Sequence, residues 1–191
     1  APTLSTPGST SLTAAQVINT REALAELSQK LRAAKLIALD TETTSTDQME
    51  AELVGISLAI EEGEGVYIPT GHEEGEQLPL EEVLDALRPA FTNPAIQKIG
   101  HNLKYDAVML ARYGLRVTPL SFDTMIAEWL VDPASHNLGL KKLAFVRLGE
   151  QMTEIEALIG KGKKQITMAQ VAIDDAAPYA AADAEVCLRL Y

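Results

Sequence analysis

Two acidic residues stand two positions apart at the point where a strongly apolar segment ends. Residues 36–39 are all apolar, and Asp40 and Glu42 follow them. Such a run is typical of a β-strand covered on both faces. Side chains at positions i and i+2 of a strand point to the same side, so both carboxylates are expected to face one space. Charges about 4 Å apart repel by roughly 1–4 kcal/mol. A pair of solvated acids would explain this pattern when it is taken alone.

Two further pairs of polar residues have helical spacing. Asn102 and Asp106 are four positions apart, as are Tyr179 and Asp183, so each pair lies on one face of a predicted helix. The second pair stands among alanines, whose small side chains would let the helix lie close to a sheet. The first pair alone is also explained by a helix cap and a surface acid, and the second pair alone is a weak signal.

Taken together, the four carboxylates predict a metal site. They come from three separate segments and contribute a formal charge of about −4, which two divalent cations would offset. Oxygen ligands without histidine or cysteine suit Mg²⁺ or Mn²⁺. Two such ions are the machinery of phosphodiester hydrolysis by in-line displacement.

The elements that must position these groups alternate between strands and helices. The order predicts an α/β fold in which 53–60 and 66–69 form a hairpin. The remaining predicted strands are 36–42, 96–99, a short segment around Val117 and a candidate edge strand at 16–19. Helices are predicted after Thr20, over 80–91, from Asn102, after Asp123, from Asn137 to Gly149, and over a last segment ending at Tyr191 with Pro178 in its first turn.

Composition narrows the possible classes of protein. The 191 residues suit one ordinary domain, and 16 basic against 27 acidic residues give a net charge of −11. This charge argues against binding nucleic acid through a broad basic surface, but not against an enzyme that holds it through metal ions. The single cysteine, Cys187, excludes an internal disulfide. No apolar run approaches the roughly 18 residues of a membrane span, so no membrane partner is expected.

Residues 1–13 are rich in Pro, Ser, Thr and Gly and are predicted to be a linker. The domain is then expected to cover 14–191. The linker-like start and the final helix, which has no stop signal, favour a domain excised from a longer chain. We expect a monomer in the cytoplasm.

The polar motifs resemble those of a known family. Residues 39–43, 100–106 and 179–183 are similar to the three motifs of the DnaQ-like 3′–5′ exonucleases, in the subclass with tyrosine four positions before the last aspartate. Further segments resemble the proofreading domain of family A DNA polymerases; these are 54–58, 67–69 with His72, 122–125 and 160–164. The resemblance covers roughly 16–191 and implies a ribonuclease-H-like fold, with a five-stranded mixed sheet and helices on both faces.

The resemblance also implies roles for the acidic residues. Asp40 would bridge two divalent cations, Mg²⁺ or Mn²⁺. Glu42 and Asp183 would complete the site of the ion that activates water, and Asp106 would act on the second ion through water.

The same resemblance implies how substrate is held. The Tyr179 hydroxyl would hold the attacking water, and Glu42 would contact the terminal 3′-hydroxyl. Asn102 and the backbone of Thr41 would position the last nucleotide. The implied activity is hydrolysis of single-stranded 3′ DNA ends to nucleoside 5′-monophosphates, beside a polymerase domain of the same parent chain.

Two alternatives remain open from the sequence. A ribonuclease D-like enzyme would trim RNA with the same motifs, and a silent scaffold would only dock a polymerase domain. For the basic loop containing Lys161, Lys163 and Lys164, either a solvated loop or phosphate contact would fit. The remaining candidates are expected to have structural roles: His72, His101, His136 and Cys187 in packing, and Asp123, Asp174 and Asp175 as helix caps.

Overall fold

The computed structural model describes residues 15–191. The predicted linker, residues 1–13, and the first residue of the predicted domain lie outside the described residues. No helix within 15–191 combines the length and apolar character needed to cross a bilayer.

A six-stranded mixed sheet forms the centre of the described chain. The strands are β1 (Ala15–Val17), β2 (Leu36–Thr43), β3 (Leu53–Glu61), β4 (Glu64–Pro69), β5 (Gln97–Gly100) and β6 (Leu120–Asp123), in the order β1-β4-β3-β2-β5-β6. β3 runs antiparallel to its neighbours β2 and β4, and the other pairs are parallel. The predicted α/β mixed sheet is confirmed. The count of five is one short, because the edge segment pairs with β4 as a sixth strand.

The helices follow the predicted order, with one short additional helix at Glu156–Ile159 that was not predicted. They are α1 (Arg21–Ala33), α2 (Leu80–Phe91), α3 (Leu103–Arg112), α4 (Thr124–Val131), α5 (Leu140–Leu148), α6 (Glu156–Ile159) and α7 (Ile173–Leu190). Two short 3₁₀ turns cover Gly162–Lys164 and Met168–Gln170.

Some predicted boundaries were wrong. The last strand begins at Leu120 rather than near Val117. α5 is capped by Gly139 instead of Asn137, because the Leu143 N–H bonds to the Gly139 carbonyl. Pro178 is the sixth residue of α7 and lies in its second turn.

Asp174 and Asp175 do not cap α7. Its N-cap is Ala172, which provides no side-chain hydrogen bond, and both aspartates lie within the first turn. There they act on the positive end of the helix dipole.

Helices cover both faces of the sheet. On one face, α1, α2 and α3 pack on large side chains such as Leu39, Ile56 and Leu58. On the other, α7 packs on small ones, including Ala38 and Ala59. Large and small residues of β3 therefore face opposite sides of the sheet, except that Val54 packs on the α7 side.

α7 can lie close to the sheet because glycine and alanine stand at the contact. A Cβ added to Gly65 of β4 would lie 2.6 Å from the Ala181 carbonyl oxygen and 3.0 Å from its Cβ. An added Cβ would therefore force the backbone of the helix or of the strand to shift. This close contact fixes the distance between α7 and the sheet, and therefore the position of Asp183 relative to the strands.

Gly65→Ala is therefore expected to lower the free energy of unfolding by about 1–3 kcal/mol, the usual cost of overpacking. The change would be measured by urea unfolding. Gly139→Ser is the control, because a Cβ there meets no atom within 4 Å and serine is favoured at this N-cap position. A Gly65→Ala chain as stable as the control would show that α7 is not held at this contact.

Candidate active site

The end of β2 places two carboxylates on the α7 side of the sheet. Asp40 and Glu42 alternate with Thr41 and pair with Ser57 and Gly55 of β3, whose side chains are small or absent. Asp40 is partly exposed and Glu42 is buried, with 6% of its surface accessible. The two carboxylates therefore lie on the same side of the strand, as predicted.

α7 brings a third carboxylate to the same point. Asp183 is buried, with alanines at positions 180, 181 and 184 packed against the sheet around it. Asp40, Glu42 and Asp183 each offer a carboxylate oxygen, and these oxygens all lie within 4.8 Å of one another. We call these three residues the carboxylate cluster.

Asp106 lies beside the carboxylate cluster but is not part of it. It belongs to α3 and is buried, and the Thr41 hydroxyl donates a 2.6 Å hydrogen bond to its Oδ1. Its charge still raises the pKa of Asp40. The role of Asp106 toward a second ion stays a prediction. The hydrogen bond shows in addition that the Thr41 side chain holds the Asp106 carboxylate in position.

Burial and mutual repulsion make the ionised acids costly. Desolvation first, and then the charges of Asp106, Glu42 and Asp183, raise the pKa of Asp40 well above its usual range. Burial and the nearby Asp183 charge raise the pKa of Glu42 to about 8. Burial also raises the pKa of Asp183 and brings that of Asp106 to about 7. A bound cation would relieve this cost.

Sequence reasoning missed Lys141, which lies at this site. Its ammonium on α5 forms an ion pair with Asp183 Oδ1 and lies 4.2 Å from the centroid of the Tyr179 ring. It opposes the rise in the pKa of Asp183. Lys141 stands beside the buried residues of α5, but no local pattern links it to an aspartate 42 positions later.

Tyr179 is close to the cluster and remains protonated. Burial, and then the charges of Asp183 and Glu42, raise the pKa of its hydroxyl far above the ordinary value. The group can therefore donate or accept a hydrogen bond as a neutral phenol, but it cannot act as a phenolate base near neutral pH.

Asp123 organises the start of α3 as well as α4. Its carboxylate accepts hydrogen bonds from the backbone of Met125 and Ile126, which confirms the predicted cap of α4. It also accepts from the N–H groups of Asn102 and Leu103, at 3.1 and 2.8 Å.

Asn102 is thereby held in the left-handed region, with φ 55°. Its own side chain makes no capping bond to α3, because the Asp123 carboxylate takes that position. The Asn102 amide is thus not committed to helix capping, which is compatible with the predicted contact to a nucleotide.

The histidines with described contacts have packing roles, as predicted. His101 Nδ1 lies 2.8 Å from the Thr124 hydroxyl, and burial lowers its pKa to about 4. His72 bonds to the Tyr67 hydroxyl at 2.7 Å and to the Val171 carbonyl at 2.9 Å. Cys187 is fully buried. Residues 161–164, which contain the basic loop, are exposed.

The donor set fits a hard divalent cation. The carboxylate cluster offers oxygen atoms alone, at mutual distances that one ion can span, and its acids are costly to ionise without a positive charge. Mg²⁺ and Mn²⁺ favour such ligands. Asp40, Glu42 and Asp183 would hold the ion.

We expect the chain without divalent ions to lose stability as the pH rises from 6.5 to about 9. Because the pKa of Glu42 is raised to about 8, the folded chain keeps a proton that the unfolded chain has already released. The loss should be on the order of a few kcal/mol, since one pKa unit corresponds to about 1.4 kcal/mol. The lowered pKa values of His72 and His101 act at lower pH.

This is measured by urea unfolding with a chelator at several pH values. Glu42→Gln should flatten the profile, and Mn²⁺ should reverse it by binding the ionised acids. Stability that is constant or increases with pH in the chelated wild-type chain would contradict the described electrostatics.

Comparison with known proteins places this site in a family. A family model described as 3′–5′ exonuclease, of the DNA polymerase A group, matches residues 15–191. The chain is 47% identical over 176 residues to DNA polymerase I of Chloroflexus aurantiacus, covering 91% of this chain and 18% of that protein. It is 41% identical over 168 residues to DNA polymerase I of Pseudomonas aeruginosa, covering 85% and 18%. The chain thus spans about a fifth of the length of these relatives.

The fold agrees with this assignment. Escherichia coli RNase D, an exoribonuclease, superposes with a TM-score of 0.67 at 25% identity, over 92% of this chain and 43% of that one. The likeness confirms the predicted ribonuclease-H-like fold. Together, the family-model match over all described residues and the sequence identity to two DNA polymerases show that the chain belongs to the family of 3′–5′ exonuclease domains of the family A DNA polymerases.

Proposed function

We propose that this domain hydrolyses the terminal phosphodiester of single-stranded 3′ DNA ends, with two divalent cations, and releases nucleoside 5′-monophosphates. The observation that carries the proposal is the carboxylate cluster, whose three oxygens lie within 4.8 Å of one another, with Glu42 and Asp183 buried. Family membership supports the direction of hydrolysis.

The acidic residues prepare the site for cations and phosphate. Asp40, Glu42 and Asp183 would hold Mg²⁺ or Mn²⁺, with Asp106 beside them toward a second ion. When bound, the ions would supply an activated water and offset charge on the leaving 3′-oxygen. Without bound cations, the ionised carboxylates of the cluster would repel a phosphate. The chain as a whole, with a net charge of −11, offers no overall attraction for it either.

Tyr179 and Asn102 are proposed to orient the reactants. The Tyr179 hydroxyl keeps its proton, so it can hold the attacking water by a hydrogen bond but does not take a proton from it. Asn102 is fixed by Asp123 at the start of α3, and its amide would contact the last nucleotide, together with the backbone of Thr41.

Asp40→Asn should reduce exonuclease activity by more than about 100-fold, because it removes a charge from the proposed centre of the metal site. It should leave stability unchanged or slightly higher, because it relieves repulsion. The assay follows release of labelled nucleotide from a 3′-labelled single-stranded DNA with Mn²⁺.

Asp174→Asn is the matched control, since Asp174 is an exposed acid on α7 and should retain full activity. An Asp40→Asn chain that retains its activity would show that Asp40 is not part of the proposed metal site.

The same assay separates the alternatives. Faster hydrolysis of a matched RNA strand would favour a ribonuclease D-like activity. A silent scaffold would release no nucleotide and show no thermal shift with millimolar Mn²⁺. An ion that binds only the folded chain raises its melting temperature.

We further propose that the polymerase part of the parent chain covers the exposed face of α4. The relatives are polymerases of which this chain matches 18%. On α4, Leu130 and Val131 expose 66% and 72% of their surfaces, and Ile126 and Trp129 are about half exposed. So large an apolar face is typical of an interaction surface.

Leu130→Cys tests this proposal, because the natural cysteine, Cys187, is buried. The new thiol should react with iodoacetamide about tenfold more slowly in the full polymerase chain than in the isolated domain, by peptide mass spectrometry. Met49→Cys, at a residue that is 64% exposed, is the control and should react equally in both. Equal reaction at position 130 would mean that α4 stays uncovered.

A further inference from the structure

We propose that Lys141 is a built-in cation of the active site that competes with divalent ions for Asp183 and so sets their affinity. The inference rests on the proposed metal site and deepens it. Lys141 belongs neither to the sequence motifs nor to the carboxylate cluster.

The contacts of Lys141 direct its charge at the cluster. Its ammonium pairs with Asp183 Oδ1, and the two side chains expose only 16% and 9% of their surfaces. The ammonium also lies over the Tyr179 ring, 4.2 Å from its centroid. The Coulomb attraction within an ion pair this well shielded from water is screened less than that of a surface pair, and the face of the Tyr179 ring also attracts the ammonium.

A divalent ion and the ammonium need the same carboxylate. An ion shared by Asp40, Glu42 and Asp183 would place its two positive charges next to the Lys141 ammonium at the Asp183 carboxylate. The ion and the ammonium would then repel each other strongly, because little water screens them. Full binding of the ion therefore requires the ammonium to withdraw from Asp183.

The surroundings let the side chain withdraw without moving its helix. α5 is anchored by Leu140, Leu143 and Ala144, which are buried, whereas the lysine stem is flexible. A cleft of about 130 Å³ is lined by Lys141, Tyr179 and Asp183 and borders the ion pair. The ammonium can enter this cleft and keep contact with the Tyr179 ring.

Titration calorimetry with Mn²⁺ alone at pH 8 tests the proposal. Lys141→Gln should bind Mn²⁺ at least tenfold more tightly than the wild-type chain, because no internal cation has to be displaced. Lys142→Gln is the matched control, since Lys142 is the exposed neighbour and its loss changes the net charge equally. Its affinity should stay within about twofold of wild type.

The sign of the change distinguishes this role from a structural one. If Lys141 only holds Asp183 in position, Lys141→Gln would bind Mn²⁺ equally or more weakly, and that result would overturn the proposal. A wild-type chain that binds no Mn²⁺ would overturn the metal site as well, so the two failures can be told apart.

A second measurement uses the wild-type chain and does not depend on the folding of a variant. Acetylation by an N-hydroxysuccinimide ester is mapped by mass spectrometry with and without Mn²⁺. Release from Asp183 should raise the labelling of Lys141 severalfold and leave that of Lys142 unchanged. Unchanged or lower labelling of Lys141 would also contradict the proposal.

Discussion

Repulsion among carboxylates that are withdrawn from water is the constraint on which this domain depends. Asp40, Glu42, Asp106 and Asp183 meet at the end of β2, and the only cation described within the group is Lys141. If all five were ionised, a net charge of −3 would remain. The rest of the fold must hold these groups together against this repulsion, and divalent ions would relieve it.

The carboxylates are held together because each of them lies on a strand or helix that is itself packed tightly in the fold. β2 lies inside the sheet, between β3 and β5. α7 is held close by the contact of Gly65 with Ala181, and α3 is fixed at its start by Asp123. Free energy from apolar packing on both faces of the sheet thus maintains an arrangement that is locally unfavourable, as is common at functional sites.

The sequence could predict the acids, because their signals are local. The apolar run before Asp40, and the four-residue spacing of Tyr179 and Asp183, show on one strand and one helix. The sixth strand was only a candidate, because three residues carry little periodicity. Lys141 was missed because its partner lies 42 positions away, and such a pairing depends on tertiary structure. Asp123 was predicted as a cap of α4, but its second task at Asn102 has the same long-range origin.

Anomalous diffraction from a crystal of this domain soaked in Mn²⁺ would show whether the carboxylate cluster holds a divalent cation. We predict anomalous density within bonding distance of carboxylate oxygens of Asp40, Glu42 and Asp183, at full occupancy in millimolar Mn²⁺. Ordered carboxylates with no anomalous density between them would contradict it, because the repulsion would then be tolerated without cations.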